Sequence, residues 1–326
     1  MMPNALLYAL TVLIWGSTWF AVSFQIGTVH PLLSVCYRFT AAALTLFIFL
    51  AITGRLKNAR FTAKQHAFIA LQGLFLFCLN FWLFYQGTAY LTTGLVSVVF
   101  SSMSLLNTLN QALFFGIPFN RKVIVGSTIG LAGIALVFWP EIDSLSLKEG
   151  KIIGIALCLA GSYSASLGNM VSLRNTRNGI PVIEGNAMGM VYGATYSFIL
   201  AMLAGAPLTF AFTPSYIISL LYLSVFGSAV AFGCYLTLVH RIGADKAAYA
   251  TILFPVVALT ISTFFEGYVW TPGALAGIAL ILFGNVITLA NRENLLQWRP
   301  RRAREIIRTG SAAESPASEP TADLQK

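Results

Sequence analysis

The chain has 326 residues, of which 57% are hydrophobic and only 10% charged, with a formal net charge of +9. A soluble domain carries about 25% charged residues, so a fold of this size would lack the charges to coat a water-exposed surface. The same figures exclude a disordered chain and, with four Cys, a disulfide scaffold; the basic excess raises nucleic acid as a partner until the positions of those charges are considered.

A bilayer core about 30 Å thick requires roughly 20 apolar residues in a helix. Apolar runs bounded by charge, Pro or turn residues predict ten spans: 5–26, 31–53, 66–86, 92–115, 123–139, 151–173, 183–204, 216–239, 247–268 and 273–290. The runs are continuous and do not alternate, which separates them from β-barrel strands. The segment Met1-Met2-Pro3-Asn4 has no basic residue and the first run is long enough to cross, so it reads as an uncleaved first helix.

Lys and Arg are distributed unevenly between alternate connections. With the amino terminus inside, the inner connections hold Arg55, Lys57, Arg60, Lys64, Arg121, Lys122, Arg174, Arg177, Arg241 and Lys246. The tail adds seven more, which brings the inner total to 17 of 20. The outer side holds only Lys148 and Lys151, and Arg38 lies within a span. This bias predicts a multi-pass membrane protein with both termini cytoplasmic and an even number of spans. The charge then reports orientation, and no nucleic-acid partner is implied. Residues 292–308, with Leu295, Leu296 and Trp298, suit an amphipathic segment on the inner membrane face or a solvated flank. Residues 309–326 read as disordered. Cys36, Cys78, Cys158 and Cys234 fall within spans and read as small packing residues.

Two copies of five spans are suggested by an offset of 151 residues. It carries Gly116, Gly126 and Gly133 onto Gly267, Gly277 and Gly284, and it superposes the run 95–115 on 246–266. The predicted organisation is therefore a first five-helix repeat at 1–140, a second at 141–291, and a tail at 292–326. Because five is odd, the second copy enters the membrane in the opposite sense. Such inverted repeats around a central cavity supply two arrangements, one open to each side.

The first span carries Trp15-Gly16-Ser17-Thr18-Trp19, and the second carries Pro31, Arg38-Phe39 and an Ala-rich run. The ninth reads Phe254-Pro255 and then Glu266, and the tenth holds Gly277 and Gly284. Together, over about residues 5–290, these resemble the drug/metabolite transporter superfamily, EamA type. The resemblance implies an all-α membrane protein with ten transmembrane helices as two inverted five-helix repeats. It also implies a bacterial inner-membrane exporter of small metabolites, often amino acids or related compounds. Ser104 stands where the family usually has Pro, and Phe115 where it usually has Glu, so a mechanism with symmetric acids is not carried over.

Polar groups in hydrocarbon need partners or water. The candidates for lining a cavity are Trp15, Thr18 and Trp19 in the first span, Arg38 in the second, and Asn80 and Tyr85 in the third. The fourth adds Ser101, Ser104 and Asn107, the sixth Tyr163 and Asn169, the eighth Tyr235 and the ninth Tyr249. The other reading of the hydroxyl and amide groups is that they let helices approach and bond across one another. Arg38 suits a substrate carboxylate or a structural pairing. Pro255 should bend the ninth span as a hinge. Glu266 reads as a gating acid or as a helix-end carboxylate facing interface water, and Glu184 as an inner flank. Gly185, Gly189 and Gly193 form a small-residue face for packing within the bundle or for a dimer contact.

No acid precedes Glu141, so the first half has no carboxylate to carry protons. The expected function is export of small neutral or zwitterionic metabolites by facilitative alternating access. The alternatives are a proton-coupled drug/metabolite antiporter and, outside transport, a lipid scramblase or structural membrane protein. His30, His66 and His240 stand apart at span ends, without HExxH or GxSxG motifs, so no enzyme, cofactor or metal is expected. The expected partners are the small-molecule substrate and the lipid bilayer, with the protein a monomer or weak homodimer.

Overall fold

The computed structural model describes residues 2–27, 29–116, 121–137, 139, 150–231, 234–235, 237–238, 250 and 253–289. All regular structure among them is helical. Ten helical segments follow one another: α1 (Asn4–Ser23), α2 (Pro31–Ile52), α3 (Ala63–Thr88), α4 (Thr93–Phe115) and α5 (Arg121–Val137). The chain continues with α6 (Lys151–Arg177), α7 (Val182–Leu203), α8 (Pro214–Val230), α9 (Phe254–Phe265) and α10 (Pro272–Leu289). Six of these (α1 to α4, α6 and α7) are long and apolar enough to cross a membrane, and the other four are shorter apolar helices. The protein is an all-α, multi-pass membrane protein with one helix at each predicted span.

The helix ends follow local chemistry. Pro31 opens α2 and Pro214 opens α8, where a missing N–H leaves no bond unmade. At α3, Thr62 and Gln65 form a capping box, so the helix starts three residues before the predicted span. At the end of α6, the helix runs past residue 173 to Arg177 because the polar end is held. There Asn175 is buried, and Asn178 Nδ2 donates to the Arg174 carbonyl at 2.8 Å.

Three helices are irregular inside. Gly73–Leu79 of α3 and Tyr222–Val230 of α8 are wound as π-helix, and α4 breaks at Ser101-Ser102. A π segment displaces backbone carbonyls from regular pairing, and such segments recur at functional sites. Side chains take several of them here. Trp15 Nε1 donates to the Gly227 carbonyl at 2.9 Å, Ser164 Oγ to Phe75 at 2.8 Å, and Asn80 Nδ2 to Leu76 at 3.1 Å.

Glycines set the helix spacing. Gly73 of α3 meets Gly189 and Gly193 of α7 so closely that a Cβ on Gly73 would lie 2.6 Å from the Gly189 carbonyl. The small-residue face of α7 is thus used within the bundle. One apolar core joins α2, α3, α7 and α8 around Phe39, Phe77, Tyr85, Met190 and Leu223. A second joins α4, α5, α6, α9 and α10 around Val98, Val137, Leu259 and Ile281, with Phe84 of α3. Leu13, Leu44, Ile48, Leu203 and Phe264 are exposed, as lipid-facing residues are in a membrane bundle.

Candidate functional site

Arg38 is brought together with residues of α1, α3 and α8. It stands seven residues into α2, about 10 Å along the helix, and is 5% exposed. Its guanidinium lies 4.5 Å from the Phe81 ring centroid, and its backbone carbonyl accepts a hydrogen bond from Ser224 Oγ at 3.1 Å. Its Nε has no hydrogen-bond partner. Tyr85, one turn after Phe81 on α3, lies beside Arg38 and is 1% exposed, and its hydroxyl is also unpartnered. In front of the guanidinium stands Gly227, in the π segment of α8. A Cβ there would lie 3.0 Å from the Thr18 methyl and 4.0 Å from Arg38 Nη2.

Two tryptophans of α1 border this region. Trp15 packs its ring on Tyr235 at 5.3 Å and on Phe254 at 5.6 Å, with its indole N–H held by Gly227. Trp19 packs on Phe84 at 5.2 Å and Phe100 at 5.1 Å. Thr18 Oγ1 donates to the Trp15 carbonyl at 2.6 Å.

A second polar group joins α4 to α6. Asn169 Nδ2 donates to Asn107 Oδ1 at 3.3 Å, and Asn110 Nδ2 donates to Ser166 Oγ at 2.9 Å. Asn80 is 4% exposed with its Oδ1 unpartnered, beside Gly161 of α6. Ser102, at the break in α4, is buried with a free hydroxyl. Ser101 Oγ turns to its own helix, at 3.4 Å from the Ser97 carbonyl. The side chain of Ser104 and the whole of Tyr249 lie outside the described residues, as do Arg241, Lys246 and the tail.

Several expectations are corrected. Tyr163 does not join the others: it is 45% exposed, on the outward stripe of α6 with Ile152 and Leu159. Pro255 does not bend an interior turn, because α9 begins at Phe254 and Pro255 occupies its first turn. Glu184 is not a solvated flank. It is fully buried and bonded by Arg55, with Nε–Oε1 at 3.1 Å and Nη2–Oε2 at 3.1 Å. Glu266 does not face interface water alone. Its Oε2 accepts from Thr93 N and Oγ1, both at 2.9 Å, and from Ser262 Oγ, so it caps α4 from the end of α9.

Two buried polar clusters were not anticipated. Gln72 Nε2 donates to Asn186 Oδ1 at 2.8 Å, and Asn175 Nδ2 donates to Gln72 Oε1 at 2.9 Å, which ties α3, α6 and α7. Gln25 Nε2 donates to the Tyr216 carbonyl at 2.9 Å, and Ser34 and Tyr216 share a hydroxyl bond at 2.9 Å, which ties the end of α1 to α2 and α8. The signal available in sequence was an amide within or beside each apolar run.

The sequence pattern of the EamA-like transporter family matches residues 2–139 and 152–290. Among curated proteins, the chain is 26% identical over 293 residues to Protein PagO of Salmonella typhimurium, covering 88% of this chain and 93% of that one. It is 30% identical over 283 residues to the uncharacterized inner membrane transporter YedA of Escherichia coli K12, covering 86% and 88%. It is 27% identical over 298 residues to the uncharacterized transporter YvbV of Bacillus subtilis, covering 90% and 93%. A protein of known crystal structure shares the fold with a TM-score of 0.65 at 18% identity, over 89% of this chain and 98% of that one. With both halves matched and the ten helices in place, the chain belongs to the EamA-like transporter family.

Proposed function

We propose that this transporter exports small neutral or zwitterionic metabolites, amino acids or related compounds, across the bacterial inner membrane by facilitative alternating access. The carrying observation is the set of buried, unpartnered polar groups (Arg38 Nε, Tyr85 OH, Asn80 Oδ1 and Ser102 Oγ) within an otherwise apolar bundle. Unmade bonds of this kind cost free energy unless a solute or water completes them. The two described carboxylates of the membrane body, Glu184 and Glu266, are engaged by Arg55 and by Thr93 and Ser262. That leaves neither free as a proton carrier and supports movement down the solute gradient.

The alternation follows from two inverted five-helix repeats, residues 1–140 and 141–291, with both termini cytoplasmic. Two observations support the repeat. The π segment Gly73–Leu79 of α3, shifted by 151 residues, falls within Tyr222–Val230 of α8. The break in α4 at Ser101-Ser102 shifts to the residues just before α9. Irregular helices paired across repeats are where transporters form solute sites and pivot.

The test is transport by purified protein in liposomes loaded with a panel of neutral amino acids, measured with and without a pH gradient. Efflux of at least one amino acid that is insensitive to the pH gradient is the expected result. No efflux across the panel would end the substrate claim. Efflux that requires an opposing proton gradient would favour the antiporter, and fluorescent-lipid flipping in the same vesicles would favour a scramblase.

A further inference from the structure

We infer that Arg38 and Tyr85 form a carboxylate site, so that the transported solute must carry a carboxylate group; this deepens the transport reading given above and rests on it. The chemistry is that of a desolvated cation without its anion. Arg38 is 5% exposed, its Nε donor is unmade, and no carboxylate among the described residues approaches it. Of the two acids in the described membrane body, Glu184 is bound by Arg55 and Glu266 by Thr93 and Ser262. An unpaired buried guanidinium is costly, and truncating one partner of a buried ion pair is strongly destabilising for that reason.

Among the described residues no acidic side chain stands at the guanidinium. The flat face of the guanidinium is covered by Phe81 at 4.5 Å, which leaves its edge, where the N–H donors lie, for a planar bidentate acceptor. The buried Tyr85 hydroxyl lies beside the guanidinium without a well-formed hydrogen bond, and its O–H supplies one further donor. Gly227 stands across from the guanidinium, and its missing side chain spares the approach: a Cβ there would lie 3.0 Å from the Thr18 methyl and 4.0 Å from Arg38 Nη2. The Gly227 carbonyl, in the π segment of α8, accepts from the Trp15 indole at 2.9 Å. α1, α2 and α3 lie in one family-matched half and α8 in the other, so a solute held here touches both halves and can register their relative movement.

The solute's carboxylate accepts from the Arg38 edge and from Tyr85. No covalent step or proton transfer is required.

The experiment compares leucine and phenylalanine with isopentylamine, phenethylamine and the two amino-acid amides. Transport is measured with the full chain in liposomes, and in parallel the thermal melting of the detergent-purified protein is followed with each compound. The acids are expected to be moved and to raise the melting temperature, and the amines and amides to be weaker by roughly tenfold or more. In Arg38→Gln this preference is expected to vanish, and in Tyr85→Phe to shrink. Arg38→Lys, which keeps the charge but not the planar fork, should retain part of it. Equal transport of acids and amines by the unaltered protein overturns the carboxylate site, whatever the variants do. If no solute moves, the transport reading falls; the melting series then decides the site, and equal stabilisation by acid and amide, or none by either, overturns it.

Discussion

Gly133 of α5 faces Gly277 of α10 at backbone distance: a Cβ on Gly133 would lie 2.5 Å from the Gly277 carbonyl oxygen, and one on Gly277 would lie 2.6 Å from that of Gly133. Further along, Gly284 meets Gly126 and Gly130 in the same way, so the two helices run antiparallel. The offset of 151 residues takes Gly126 to Gly277 and Gly133 to Gly284. The contact between Gly133 and Gly277 is thereby carried onto the contact between Gly284 and Gly126. The spacing that marks the repeat in the sequence is also the surface along which these two helices meet.

Leucine at Gly133 or at Gly277 is expected to destabilise the bundle by about 1–3 kcal/mol or more, because backbone faces the added atoms and cannot move aside. Gly130→Ala is the control, since a Cβ there meets nothing within 4 Å. Melting curves of the purified variants check this. Equal curves for Gly133→Leu and Gly130→Ala would reject the close contact.

Arg55→Ala is expected to cost about 2–3 kcal/mol, between the surface and buried limits for ion pairs, because Arg55 is 40% exposed and Glu184 fully buried. Glu184→Gln should cost less, as it leaves no buried charge. The double variant should be more stable than Arg55→Ala alone, since the stranded carboxylate is gone. Denaturation of the four proteins completes the cycle, and additive losses would count against a direct pair.

Glu266→Ala removes an acceptor for the Thr93 backbone N–H and hydroxyl at the start of α4. A loss of about 1–2 kcal/mol is expected, of the size of a helix N-cap. Thr93→Val should cost less, because the backbone bond survives. If transport rate changes severalfold in Glu266→Gln while the melting temperature holds, the carboxylate acts as a gate and the capping account is insufficient.

Tyr163→Leu should leave both transport and melting unchanged within error, because the side chain points outward from α6 into surroundings where Leu is equally at home. Tyr85→Leu, at another mid-span tyrosine but one buried at 1% exposure, should impair both. Similar effects at the two positions would show that helix phase is not what separates them.

The all-helical class, the apolar spans and the low charge were legible because the bilayer imposes them locally. Hydrocarbon about 30 Å thick dictates the length of each apolar run, and a helix satisfies its own backbone without reference to neighbours. The motif from Trp15 to Trp19 and the Arg38, Pro255 and Glu266 positions were likewise visible as residue types in order.

Which of those residues meet was decided only by the tertiary structure. Tyr85 and Tyr163 are both mid-span tyrosines, yet one lies against Arg38 and the other on the exposed face of its helix. Their difference is the rotational phase of α3 and α6, fixed by glycine contacts such as Gly168 on Leu76 and Gly87 on Cys158. Arg55 and Glu184 are 129 residues apart, and nothing in their local sequence pairs them. The composition determined that this chain lives in a membrane with almost no internal charge. The packing decided that Glu184 and Glu266 have partners and that no carboxylate among the described residues stands at Arg38, because a charge is satisfied by what stands within about 3 Å of it and not by its place along the chain.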